Sequence, residues 1–202
     1  MKITLAENIA DITLEQFQKY ELLNEKLRDE DISQKNYTKR KISLFSGIPY
    51  NDIDKVSYKD LEEVTSQIDK ALDQDAPFVN RFKMNGIEYG FIPNFDNITT
   101  AEFVDLSKYG SDAETLHNLM AILFRPITKS SLGNYEIENY RGTDAHAETM
   151  KQTPMNVVNG ALVFFLNLSS ELENYILKYT AEELERVQKQ QIISISGDGM
   201  QQ

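Results

Sequence analysis

Cysteine is absent from the 202 residues, and that removes whole classes of chemistry. Without a thiol there is no disulfide framework, no thiolate nucleophile and no Cys-ligated zinc or iron–sulfur cluster. Long apolar runs are missing too. The most apolar stretch, Gly160 to Leu166 (GALVFFL), has seven residues and is flanked by Asn156, Asn159 and Asn167. A membrane-spanning helix needs roughly 20 such residues, so the stretch reads as a buried core helix and no membrane partner is expected. Met1 to Leu5 is followed at once by Glu7 and Asp11, which leaves no continuous apolar region of the signal-peptide kind.

Positive charge is the scarcer sign. Lys and Arg number 21 against 32 Asp and Glu, a net charge of -11. A phosphate backbone repels such a chain, because non-specific nucleic-acid affinity comes from cations displacing counterions; direct nucleic-acid binding is therefore not expected. The same charge keeps a protein soluble at high local concentration. Glycine is sparse at nine residues, few for an enzyme built on tight ligand-binding loops. There is no Gly-x-Ser-x-Gly nucleophile turn, no phosphate-cradling Gly-x-x-x-x-Gly-Lys and no dinucleotide Gly-x-Gly-x-x-Gly. No cofactor and no catalytic residue are expected on this reading. What is present is core material: 41% hydrophobic residues, with 10 Phe and 10 Tyr, so disorder is not the expected state.

Helical periodicity dominates the order of these residues. Leu14, Phe17, Tyr20, Leu23 and Leu27 fall three or four apart, and Thr13 with Gln16 forms a capping-box pattern before them. Ile42 to Phe45 continues a second helix that stops at Gly47-Ile48-Pro49, and Ser57 opens a third with Leu61, Val64, Ile68 and Leu72 on one stripe. The pattern then changes. Phe78, Phe82, Ile87, Tyr89 and Phe91 surround Asn85-Gly86, and Asn-Gly between β-prone residues signals a hairpin. Thr99-x-x-Glu102 and Ser111-x-x-Glu114 cap two more helices, the second apolar nearly all round and ending before Pro126. Leu132 to Arg141 alternates loosely, as a short strand or a loop. Thr153-Pro154 has the pattern of an N-cap with proline in the first turn, and Ser170-x-x-Glu173 and Thr180-x-x-Glu183 are further capping boxes. The expected fold is α+β and mainly α. A helical domain over 1–130 carries a β-hairpin near 78–92; a strand or loop and C-terminal helices over 131–193 pack on it; 194–202 is a loose tail.

Few residues suggest chemistry. His117 sits inside an apolar helix and reads as a core or interface histidine. Asp144, His146 and Glu148, at spacing two, share a face only on a strand. A small metal-dependent enzyme using these three is the alternative reading from a different class; the simpler one is a solvated helix start. Lys35, Lys39, Arg40 and Lys41 form the one concentrated basic patch. It reads as an ordinary polar helix face or a docking point for an acidic partner, and it lacks the glycine–aromatic motifs of nucleic-acid sites.

Three segments taken together carry a resemblance. The first is Leu14-Glu15-Gln16-Phe17 with Ile42-Ser43-Leu44-Phe45-Ser46-Gly47-Ile48 and Asp60-Leu61. The second is Asn85-Gly86-Ile87-Glu88-Tyr89-Gly90-Phe91-Ile92-Pro93 leading into Ile98 to Leu106 (ITTAEFVDL). The third is Leu116 to Pro126 (LHNLMAILFRP). Over roughly residues 10–127 the chain is similar to small morphogenesis proteins of tailed bacteriophages, tail-assembly-chaperone-like, in the style of crAss-like phages of Bacteroidales. The resemblance implies a virion component at the portal, the tail or the particle interior, or alternatively a tail-assembly chaperone absent from the mature virion. It implies phage structural proteins (portal, tail or tail-tube components) as partners, several copies per particle, and residence in the virion and in the host cytoplasm during assembly. Tyr89, Phe91, Phe95 and Phe103 are the expected contact residues.

Overall fold

The computed structural model describes residues 5–109 and 112–167. The chain divides into two compact units, Met1–Ala161 and Leu162–Gln202. Of the second, residues 162–167 are described and are helical; the capping boxes at Ser170 and Thr180 and the tail from 194 lie outside the described residues.

Helix starts follow their capping residues. The Thr13 hydroxyl accepts the Gln16 N–H at 3.2 Å while Gln16 Oε1 accepts the Thr13 N–H at 3.0 Å, so two otherwise orphaned donors are satisfied reciprocally. Helix α1 follows as Leu14–Arg28. Ser33 caps α2, Gln34–Ser46, which ends at Gly47 with φ of 68°, a left-handed turn that glycine makes without a Cβ clash. Ser57 caps α3, Tyr58–Leu72. Beneath α2 and α3, Ile42, Ile48 and Ile53 form a cluster of their own, with Val56, Leu61 and Val64 packed around it.

Strands β1, Arg81–Met84, and β2, Ile87–Phe91, form the expected hairpin. Asn85 and Gly86 both have positive φ, 51° and 78°, the geometry of a two-residue turn that matches strand twist. Helix α4, Thr100–Tyr109, opens on a Thr99–Glu102 box. Ser111, the expected cap before the next helix, lies outside the described residues; beside it Asp112 accepts the Glu114 N–H at 2.9 Å. Helix α5, Leu116–Leu123, buries Leu119 to Leu123 without a gap. Each large apolar side chain so buried contributes about 2 kcal/mol, which makes α5 the centre of the core.

The chain leaves α5 directly into β3, Phe124–Ser131, which turns into β4, Asn134–Ile137. The sheet is an antiparallel meander in the order β1-β2-β3-β4. The fold is therefore α+β and mainly α, with one four-stranded sheet. Residue 130, where the sequence pattern suggests a division, lies inside β3. Helix α6 is Ala147–Met150, and α7 begins at residue 155.

Thr153-Pro154 departs from its predicted role. The Thr153 hydroxyl turns inward toward Met150 Sδ at 3.4 Å, and Pro154 bridges to Thr13 instead of entering the helix. Around that bridge the Leu14 N–H donates to Thr153 O at 2.9 Å, the Glu15 N–H to Lys151 O at 2.8 Å and the Met155 N–H to Ile12 O at 2.8 Å. Gly160 on α7 meets the 77–78 backbone so closely that a Cβ would lie 2.5 Å from Pro77 O. Burial of the GALVFFL run is complete at Ala161 and gives way to exposed Val163 and Leu166, so the expectation of a wholly buried helix holds only for its start.

Candidate protein-binding groove

An open groove of about 710 Å³ runs between α2 and α3. Ile42, Ile53 and Leu61 line its base; Ile42 and Ile53 are each 1% exposed, and Leu61 is half-buried. One wall is α2, with Gln34, Lys35, Thr38 and Lys39; the other is α3, with Tyr58, Glu62, Thr65, Ser66 and Asp69.

The predicted basic patch supplies that first wall, yet its charges are largely answered from within the chain. Lys39 Nζ lies 2.7 Å from Asp54 and 4.3 Å from the centre of the Tyr50 ring. Its hydrogen bond holds the Asp54 carboxyl below the ordinary aspartate range. Arg40 also faces Tyr50, at 5.7 Å. Lys41 is buried and ion-paired to Asp69. A buried lysine is tolerated only with such a partner. The patch divides: Lys39 and Lys41 fasten α2 to α3 and to the turn before it, while Lys35 and Arg40 are exposed on the polar face the sequence predicts. The partners, Asp54 and Asp69, stand 15 and 28 residues along the chain, and no local pattern in the sequence signals the pairing. Nearby, the Tyr37 hydroxyl donates to Asn24 Oδ1 at 2.7 Å; burial first, then Tyr20, pushes its pKa up.

The four expected contact residues divide. Tyr89 and Phe91 are 1% and 3% exposed and belong to the core, which corrects their surface role. Tyr89 stacks on Phe82 at 5.4 Å, and Phe91 packs among Phe78, Phe95 and Phe124 at 4.9–5.6 Å. The hairpin alternation puts both rings on one face of the sheet, where Phe82 and Phe91 meet Phe124 of the neighbouring strand. Phe95 is half-buried against Phe91. Phe103 is 57% exposed, beside exposed Val104 on α4, and is the one of the four that offers a large apolar surface.

The histidines are held by neighbours. His117 lies between the side-chain amides of Gln18 (3.0 Å) and Asn118 (3.2 Å); burial, then Lys151, lowers its pKa. His146 Nε2 is 3.2 Å from Glu138, while Glu148 pairs with Lys151 at 2.8 Å. Asp144, His146 and Glu148 are not brought together, and among the described residues no cluster of three metal-ligating groups occurs.

One polar pair is fully interior. Arg125 Nη2 donates to Glu102 Oε1 at 2.6 Å, with both side chains buried; Glu102 Oε2 takes the Thr99 N–H at 2.6 Å. Burial alone pushes the Glu102 pKa up, but the Thr99 hydrogen bonds and Arg125 together bring it below the ordinary glutamate value. The guanidinium also lies 5.5 Å from the Tyr140 ring, whose hydroxyl donates to Asp105. This set ties α4 to the root of β3.

Among the described residues no helix is long and apolar enough to cross a membrane. Compared with protein-family models, curated proteins and solved structures, the chain matches none.

Proposed function

We propose that the chain is a component of a tailed-phage particle, at the portal or tail or in the particle interior, and works through protein–protein contacts in assembly and not by catalysis. The observation that carries this reading is the α2–α3 groove. Its floor is drawn from Ile42 and Leu61, residues of the first segment on which the phage resemblance rests. An apolar floor between polar walls takes a row of apolar side chains from a protein partner. With Lys39 and Asp54 paired to each other, and Asp69 to Lys41, such a partner docks without stranding those charges.

The decisive experiment is mass spectrometry of purified particles of the phage that encodes the chain, with its copy number taken relative to the portal protein. A fixed, reproducible number of copies supports a virion component. Abundance in infected cells with none in particles replaces that role with an assembly chaperone. Absence from phage-infected cells overturns both.

A further inference from the structure

Two Asn-Gly pairs occur in the chain, Asn85-Gly86 and Asn159-Gly160, and the fold gives them opposite surroundings. An asparagine side chain is open to attack by the backbone nitrogen that follows it, and glycine at that next position, with no Cβ, leaves the approach clear. Asn159-Gly160 is shut away from this chemistry. It lies inside α7, where the Gly160 N–H is directed to the carbonyl four residues back, and Gly160 is buried against the 77–78 backbone. Asn85-Gly86 is exposed at the hairpin tip, and nothing stands within 4 Å of the place a Gly86 Cβ would occupy. The ladder pair that closes the turn is Met84 with Ile87, so the Gly86 N–H takes no part in it. One contact restrains the site. Asn85 Nδ2 donates to Gln152 Oε1 at 2.8 Å, in the turn between α6 and α7.

We infer that Asn85 is a self-modifying residue, an asparagine that converts to aspartate and isoaspartate, and that Gln152 is its brake. In the reaction the Gly86 nitrogen attacks Asn85 Cγ. The new N–Cγ bond closes a succinimide ring, the Cγ–Nδ2 bond breaks, and ammonia leaves with the proton that Gly86 gave up. Water then opens the ring. Addition at Cγ gives aspartate; addition at the backbone carbonyl carbon gives isoaspartate, whose main chain runs through the former side chain. Ring closure swings the carboxamide onto the Gly86 nitrogen, so the bond to Gln152 must break first. Both products lose the Nδ2 donor that Gln152 holds and add a negative charge to a chain already at -11. Isoaspartate also lengthens the turn whose register, Met84 with Ile87, sets Tyr89 in the core. The hairpin thus carries a slow chemical change that loosens its own turn. This goes beyond the role proposed above and does not depend on it.

Peptide mapping by mass spectrometry tests it, on the purified full chain kept folded at neutral pH and sampled over weeks, with fragmentation to tell isoaspartate from aspartate. Asn85 is expected to convert to a mixture of the two while Asn159 in the same molecules keeps its amide. Gln152→Ala is expected to speed the Asn85 conversion roughly two- to tenfold, the factor that losing one ordinary hydrogen bond gives. An intact Asn159 in that variant shows that the fold has not loosened as a whole. Gln152→Glu keeps an acceptor for Nδ2 and is expected to convert no faster than wild type. A folded chain in which Asn85 keeps its amide as fully as Asn159, or in which both convert at one rate, overturns the inference. So does a Gln152→Ala rate equal to that of wild type, or one matched by equal acceleration at Asn159.

Discussion

The two hairpins of the meander share a sheet and a turn geometry but solve opposite problems. β1–β2 turns on Asn85-Gly86 and lays Met84, Tyr89 and Phe91 into the core. β3–β4 turns on Leu132-Gly133, buries only its root at Phe124 and Arg125, and exposes the rest. The first is held by what it covers. The second is held at its base, by an interior ion pair, and along its side, by Arg81, which donates to Ser130 Oγ at 3.1 Å and to Gly133 O at 2.7 Å. The contrast teaches that strand pairing alone does not say whether a hairpin is scaffold or appendage; the placement of its apolar residues does.

The comparison breaks most severely at the root of β3. Replacing Glu102 or Arg125 by Ala leaves its partner buried and unpaired, which costs about 3–5 kcal/mol and should appear as a large fall in the midpoint of urea unfolding. The same pair sets an acid limit. Because the Glu102 pKa is lowered in the fold, its contribution is present above the unfolded glutamate value of about 4.3 and is lost as pH falls through the folded value. Glu102→Gln should flatten that acid limb of the stability–pH curve.

Next is Gly90, where the two hairpins touch. A Cβ there would come 2.4 Å from the Tyr135 ring and 3.0 Å from Ile127, and the ring is tethered because its hydroxyl donates to Phe91 O at 2.7 Å. Gly90→Ala is expected to cost about 1–3 kcal/mol of overpacking, measured by thermal unfolding. The turn residues come third and sharpen the contrast by sign. Asn85→Leu should destabilise, and Leu132→Asn stabilise, by about 1 kcal/mol each, a shift of roughly 2–4 °C in Tm in opposite directions. The smallest effect belongs to the arm's own cross-strand ion pair, Lys129–Glu136 at 2.9 Å and largely solvated. Lys129→Ala should change stability by less than about 1 kcal/mol, and by less still at high salt.

These differences also explain what could be read in advance. Thr13, Ser57 and Thr99 start their helices by hydrogen bonds spanning three residues, so local sequence suffices. Asn85-Gly86 is equally local. β3 was hidden by Pro126, which argues against a central strand because it has no N–H to donate. The proline is accommodated where β3 changes partners: residues 124–126 pair with β2, and from Ile127 onward the partner is β4, with a bulge before Lys129. Pro126 contributes its carbonyl instead, accepting the Glu138 N–H at 2.9 Å. The turn at Leu132 was hidden because leucine is not a turn former. The groove was only half legible: its apolar floor follows from helical stripes, whereas the pairing of the basic patch with Asp54 and Asp69 depends on how α2 and α3 come together.

The clasp between residues 12–15 and 151–155 has a consequence for how the chain is born. The first turn of α1 has its Leu14 and Glu15 amides satisfied by carbonyls of Thr153 and Lys151, nearly the whole first unit away. During translation those partners emerge long after α1, ahead of residues 156–202. At about 5–20 residues per second the amides wait on the order of ten to thirty seconds for them. The α1–α2 pair can form early from local contacts, but its N-terminal edge stays unlatched until residue 155 is clear of the ribosome. Closure of this unit is therefore a late, non-local event, and a nascent chain cut short before Lys151 lacks the latch altogether.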